Sequence, residues 1–364
     1  MALTPSRARL AALIALAALG GGLAVARCSP TQAPGPEARR PEVSRAPESG
    51  SPGWVEHHPV REGGPEPGLR VAFFGDQGLE PTGRSVLELV HRRGAQLVIH
   101  VGDLDYHDDP DAWDAQVSAA LGADFPYFAA VGNHDLAAWD GYQAKLRARL
   151  ARVKGAECSG DLGVRSSCYY RGLFFVLSGV GTLGQGHEPY IADELARDRS
   201  TWRICVWHKN QHDMQVGAKE DEVGWGAYQA CQRGGAMIVT GHEHSYSRSY
   251  TLTALGDRTR GYGRTGEPAT VEVGAGRTVV LVVGLGGESR RAFTADHGGD
   301  TWWASLYARD RQVENGKLVG ESPDIEDGAL FVEYAAGGDA KRAHAWFETV
   351  SGKHVDEFDV VSVK

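Results

Sequence analysis

The chain has no dense run of basic residues. Its 364 residues carry 38 Lys and Arg against 47 Asp and Glu, a formal net charge of −9. That balance argues against a nucleic-acid scaffold. No Ser nucleophile elbow, P-loop or thioredoxin-type Cys pair occurs. Gly284-Leu285-Gly286-Gly287 follows an apolar stretch but is no dinucleotide fingerprint. No solenoid repeat is present. These absences set aside serine hydrolysis, P-loop nucleotide chemistry, dithiol redox chemistry and nicotinamide binding.

Long apolar runs are scarce as well. Leu10 to Leu19 is one, short for a spanning helix. Arg7 and Arg9 precede it and Ala24-Val25-Ala26 follows, so residues 1–27 read as an export signal with a small-x-small cleavage site. An uncleaved anchor and a lipoprotein carried on Cys28 are the alternatives; Arg27 departs from the small residue expected before a lipidated Cys. Contact with a membrane would arise only by those two routes. Either way the chain is expected outside the cytoplasm, secreted or in the periplasm or cell envelope.

Cysteine is sparse, with five residues. Beyond Cys28 the remaining four are an even number, which in an exported chain suggests disulfides. Of three possible connectivities the favoured one is Cys158–Cys168, closing a Gly- and Ser-containing loop, with Cys205–Cys231 joining a strand to the next helix. Buried thiols are the alternative.

Proline is unevenly spread. Residues 28–68 hold nine of the sixteen prolines and almost no apolar periodicity. They read as a disordered tether, with His57 and His58 as solvated linker. The folded part is expected over 69–364. There, apolar segments at 69–74, 96–101, 127–131, 203–207 and 236–240 alternate with helix-like stretches near 83–93, 110–121, 139–153, 190–199 and 223–233. That alternation predicts an α/β core. Strands are expected again at 279–287, 329–335, 343–349 and 354–363, mostly antiparallel. Residues 255–277 and 287–327 read as long loops on the rim of a pocket.

Five short motifs occupy the ends of those apolar segments. They are Gly75-Asp76-Gln77-Gly78, Gly102-Asp103-Leu104-Asp105-Tyr106, Gly132-Asn133-His134-Asp135, His208 after Trp202–Trp207, and Gly241-His242-Glu243-His244. Open α/β sheets place their sites just past strand C-termini. The ordered donors are Asp, Asp, Tyr, Asn and three His, a mix of oxygen and imidazole ligands suited to two transition metals. Asp103 is the expected bridge and Asp76 a ligand of one metal. His242 and His244, two apart in extended backbone, point the same way and reach different metals about 3.5–4 Å apart. His208 and Asn133 complete the second metal. Tyr106 adds an anionic phenolate, which favours a hard trivalent ion. With one trivalent and one divalent metal, three anionic side chains and a hydroxide, the formal charge is about +1, suited to phosphate.

His134 should point outward to substrate, stabilising a phosphoryl oxygen or protonating the leaving alkoxide. Asp135 is expected to orient it, to cap the next helix, or both. His212 is a candidate phosphate contact. Tyr246 and Arg248 are expected along the pocket.

These motifs, as they stand in residues 69–364, resemble the purple acid phosphatases within the calcineurin-like metallophosphoesterases. Many relatives carry Asp-x-His in the first motif; here Gly78 takes that His position and Tyr106 is present instead. Residues Lys209-Asn210 depart from the family's usual x-Pro after the fourth motif. The resemblance implies a four-layer α/β/β/α sandwich in its small, single-domain form. It implies Fe(III) on Asp76, Asp103, Tyr106 and His244, with a divalent Fe, Zn or Mn on Asp103, Asn133, His208 and His242. It also implies hydrolysis of phosphomonoesters by in-line attack of metal-bound hydroxide, assisted by His134. A phosphodiesterase or nucleotide hydrolase on the same site is the alternative. A binding protein without turnover is a third reading, against which the complete donor set argues.

Overall fold

The structure is a computed structural model that describes residue 55 and residues 58–364. The export signal, Cys28 and most of the proline-rich segment lie outside the described residues. Two mixed sheets face each other. One has seven strands in the order 270–273, 354–362, 342–349, 328–334, 69–74, 97–100, 127–129. The other has ten, in the order 317–320, 311–314, 303–308, 246–249, 280–283, 237–240, 202–206, 173–178, 165–170, 157–161.

The strand residues explain the layering. In Leu173–Ser178, Leu173, Phe175 and Leu177 join the central core, while Phe174 and Val176 join a second cluster on the other face. Met237 and Val239 face inward and Ile238 outward in the same way. Period-two alternation with both faces apolar is what a doubly covered sheet requires. Helices α1 (Pro81–Arg92), α2 (Pro110–Leu121) and α3 (Trp139–Leu150) cover the seven-stranded sheet. Helices α4 (His187–Arg197) and α5 (Gly226–Gly234) cover the ten-stranded one. Edge-to-face and stacked rings join the two sheets, with Phe128 against Phe175 at 4.8 Å and Tyr246 against Phe347 at 4.2 Å. The result is an α/β/β/α sandwich, as the family resemblance implied.

Both expected disulfides form, Cys158–Cys168 and Cys205–Cys231. The first joins directly paired residues of two antiparallel strands. The second ties the strand leading to His208 to helix α5. Among the described residues no helix is long and apolar enough to cross a membrane.

Several expectations need correction. Residues 58–68, expected in the tether, lie against the domain: His58 bonds the Ser167 carbonyl at 2.9 Å, Arg61 pairs with Glu157, and Glu62–Gly63 pairs with Arg199–Ser200. Strands 157–161 and 165–170 carry Ser, Gly, Asp and Arg, so no apolar signal marked them. The stretch 287–327 is no continuous loop but holds strands 303–308, 311–314 and 317–320. Residues 255–277 likewise include a short strand at 270–273.

Candidate metal centre

Asp76, Asp103 and Asn133 follow three parallel strands of the seven-stranded sheet; His208, His242 and His244 follow two parallel strands of the other. All six therefore sit on loops at matching strand ends, and the two sheets converge there. Close backbone approach makes this possible. A Cβ at Gly132 would lie 2.1 Å from the Asp103 nitrogen, and one at Gly102 (φ +100°) would lie 2.8 Å from the Gly132 nitrogen and 2.9 Å from His208 Cβ. Only glycine fits either place.

The donor atoms fall into two groups that share one oxygen. In the first, Tyr106 Oη lies 3.3 Å from Asp76 Oδ1 and 3.3 Å from His244 Nε2, and the latter two are 3.2 Å apart. In the second, His208 Nε2 lies 3.2 Å from His242 Nδ1. Asp103 Oδ2 belongs to both, 3.2 Å from Tyr106 Oη and 3.1 Å from His208 Nε2. Asn133 Oδ1 is buried with no hydrogen-bond partner. A buried acceptor of that kind is suited to a cation or a water.

Three further observations fit metal ions. Asp76, Asp103 and His242 are non-glycine residues with left-handed φ of 59°, 55° and 67°, a conformation costing on the order of 1–2 kcal/mol each. Asp76 and Asp103 are fully buried, and among the described residues their ion partners are imidazoles alone. Two buried carboxylates gathered so closely suit a site that binds cations. Third, each His ring has its other nitrogen held: His208 Nδ1 by the Val101 carbonyl at 3.0 Å, His244 Nδ1 by the Ser289 carbonyl at 2.8 Å, and His242 Nε2 by Glu222 at 2.6 Å. That is the usual arrangement of metal-ligating histidines.

The electrostatics agree. Burial first, then the Asp76 and Asp103 charges, push the Tyr106 phenol far above its ordinary range, so only strong local positive charge would make it a phenolate. Burial would raise Asp103, but His208 and the His134 N–H outweigh it and hold the carboxyl low. Burial would lower His208, yet Asp103 and Asp76 raise it to about 9.

Gly78 has φ +68°, and a Cβ there would lie 3.0 Å from Glu288 Oε2 and 3.9 Å from the Tyr106 ring. A side chain at 78 would meet the Glu288 carboxylate first, with the Tyr106 ring at ordinary contact distance. His134 is exposed, its ring tilted over that of Tyr106 at 4.4 Å between centroids.

Three expected roles come out differently. Asp135 is spent on backbone: it accepts from Gly132 N–H (2.7 Å), Asp103 N–H (3.0 Å) and Leu104 N–H (2.7 Å), bracing the bridge loop, and makes no side-chain cap. His212 is engaged away from the centre, donating to the Lys219 carbonyl at 2.8 Å and lying 3.6 Å from Asp296. Neighbouring His297 completes a possible cation cluster there, but its nitrogens already face Asp300 at 2.7 Å and the Gly217 carbonyl at 3.1 Å. Tyr246 and Arg248 are buried against Asp356 rather than along a pocket. Sequence reading missed Glu222 and Ser289, which belong to no motif and meet the His pair only through the fold.

The family model for calcineurin-like phosphoesterases matches residues 69–246. No curated protein matches the chain in sequence. Among solved structures, the purple acid phosphatase PPD1 from yellow lupin (Lupinus luteus) seeds is similar at 18% identity and TM-score 0.57, over 83% of this chain and 55% of that one. The chain thus spans about half the length of the lupin enzyme. GAP50, the anchor in the inner membrane complex of Plasmodium, is similar at 11% identity and TM-score 0.49, over 82% of this chain and 90% of that one. A dimetal phosphatase from Danio rerio is similar at 11% identity and TM-score 0.44, over 82% of this chain and 100% of that one. At 18% identity the likeness to the lupin enzyme is one of fold. Residues 69–246 thus carry the calcineurin-like phosphoesterase pattern, and the chain has a fold similar to that of the lupin purple acid phosphatase.

Proposed function

We propose that the chain is an exported phosphomonoesterase working at a two-metal centre of Asp76, Asp103, Tyr106, Asn133, His208, His242 and His244. The observation that carries this reading is Asp103 Oδ2, within 3.2 Å of Tyr106 Oη and 3.1 Å of His208 Nε2. A single carboxylate oxygen thereby serves two donor groups. By donor chemistry the Asp76, Tyr106 and His244 side suits Fe(III), and the Asn133, His208 and His242 side a divalent Fe, Zn or Mn. When bound, such ions polarise the phosphoryl oxygens and supply the nucleophilic water.

The chain's own groups orient and protonate. Asp135 fixes the turn that carries Asp103, and Asp103 Oδ1 in turn accepts the His134 N–H at 2.8 Å. His134 therefore rides on the same turn as the bridge, with its ring exposed at the mouth. There it is placed to give a proton to the leaving alkoxide. His134→Ala is expected to lower kcat about 10²-fold on an alkyl phosphate, whose leaving group needs that proton. The loss on p-nitrophenyl phosphate, which leaves without help, should be far smaller. Equal losses on both substrates would remove His134 as the acid.

The catalytic unit extends in this reading over residues 69–364, since strands 328–334, 342–349 and 354–362 complete the sheet that carries Asp76 and Asp103. The two disulfides support an oxidising compartment and so the export reading of residues 1–27. A diester or nucleotide is the second reading. It is favoured by an open groove of about 510 Å³ lined by Glu288, Ser289, Arg290 and Arg309, beginning beside His244. Relative turnover of p-nitrophenyl phosphate and its bis-ester decides between them.

A further inference from the structure

The three histidines of the centre are not held alike. The distal nitrogens of His208 and His244 meet neutral oxygens, those of the Val101 carbonyl and of Ser289. That of His242 meets a carboxylate, Glu222 Oε2, at 2.6 Å. Lys209 Nζ holds the other Glu222 oxygen at 2.5 Å. The next residue, Asn210, is where this chain departs from the family's x-Pro pattern, and its carbonyl accepts the Glu222 N–H.

We infer that Glu222 is a positioning residue for the second metal, acting through His242 and itself pinned by Lys209; this rests on the two-metal reading above. Accepting a hydrogen bond from His242 Nε2 keeps the proton on that nitrogen. The Nδ1 lone pair then faces His208 Nε2, 3.2 Å away. An anionic acceptor also strengthens the donor power of the ring. The charge distribution gives this a purpose. The first donor group has Asp76, Asp103 and the Tyr106 phenolate, whereas the second has Asp103 and otherwise neutral donors. Glu222 adds a negative charge one bond-length layer outside the poorer group.

The loop that carries Glu222 is built to hold still. The Glu222 N–H donates to the Asn210 carbonyl at 3.1 Å, and Asn210 Nδ2 reaches Thr240 Oγ1 at 2.8 Å, on the strand that leads to His242. His212 and Gln215 both donate to the Lys219 carbonyl, at 2.8 and 3.0 Å. The Val223 and Gly224 N–H groups close on Asp221 Oδ1 at 3.2 and 2.7 Å. Fixed outer partners of this sort set ligand geometry.

The test is Zn²⁺ binding to the full chain by chelator competition, with metal content after dialysis, for the parent, Glu222→Ala, Glu222→Gln and Lys209→Met. The parent should bind two equivalents. Glu222→Ala should keep one unchanged and weaken the other about 10–100-fold. Glu222→Gln keeps an acceptor oxygen without the charge and should fall between, and Lys209→Met should weaken the same equivalent by less. Unchanged affinities in Glu222→Ala would overturn the proposal. So would an equal weakening of both equivalents, which would mean a general structural role. A parent that binds fewer than two equivalents would instead overturn the two-metal reading, before any variant is compared.

Discussion

Asp103→Asn should lower phosphoester turnover about 10³-fold, some 4 kcal/mol of transition-state stabilisation, while leaving the domain folded. The substitution is isosteric, so the turn at φ 55° and the hydrogen bond from His134 N–H to Oδ1 can both persist. What disappears is the negative charge at the oxygen shared by the two donor groups. An amide bridges two cations poorly, so both metals should be held more weakly. The metal-free protein should lose some stability as well, because the Asp103 carboxylate is the charge partner of buried His208 at 3.1 Å and is held low by it. Activity and metal content should therefore fall together, by far more than a modest fall in the melting temperature of chelator-treated protein accounts for. A variant that kept both metals and most of its turnover would show that Asp103 is no bridge.

The largest effect on stability is expected at Asp356, far from any motif. Its carboxylate accepts from Tyr246 Oη at 2.6 Å and from Arg248 Nε and Nη2 at 2.6 and 2.8 Å, and Arg248 also lies over the Phe358 ring at 4.1 Å. All of these groups are buried. Arg248 and Tyr246 belong to strand 246–249 of the ten-stranded sheet and Asp356 to strand 354–362 of the other, so the pair joins the sheets just behind His244. Asp356→Ala strands a buried guanidinium, a loss of about 3–5 kcal/mol. In a domain of this size that corresponds to a drop in Tm of roughly 10 °C. Because burying an ion pair is itself costly, the double variant Arg248→Met, Asp356→Leu should recover much of the loss. Thermal unfolding of the single and double variants measures this. A single variant within 1 kcal/mol of the parent would mean that water solvates Arg248.

What the sequence revealed, and what it hid, has a physical pattern. Parallel strands such as Val71–Phe74 and Met237–Thr240 are buried on both faces, so they read as unbroken apolar runs ending in Gly plus a polar residue. That punctuation located the candidate ligands. Edge and hairpin strands did not show. Glu157–Asp161 carries one apolar side chain among five residues, and Trp303–Ala308 lies between polar, Gly-rich segments. Roles that depend on a long-range partner were hidden as well. Asp135 read as a partner of the adjacent His134, but the turn folds it back onto the amides of residues 103, 104 and 132. Arg248 sits four residues after His244, which suggested a pocket position; its partner lies 108 residues further on. Glu222, 20 residues before His242, stands in a stretch of Lys, Glu and Asp that reads as a solvated loop.

The central claim is that these seven side chains hold two metals, with Tyr106 a ligand of one. The measurement that tests it most directly is metal content together with the visible absorption spectrum of the purified protein, with Tyr106→Phe beside it. The account predicts two metals per chain, iron among them, and a tyrosinate-to-iron charge-transfer band that Tyr106→Phe abolishes. Fewer than two metals per chain, or a spectrum and metal content that Tyr106→Phe leaves unchanged, would contradict it.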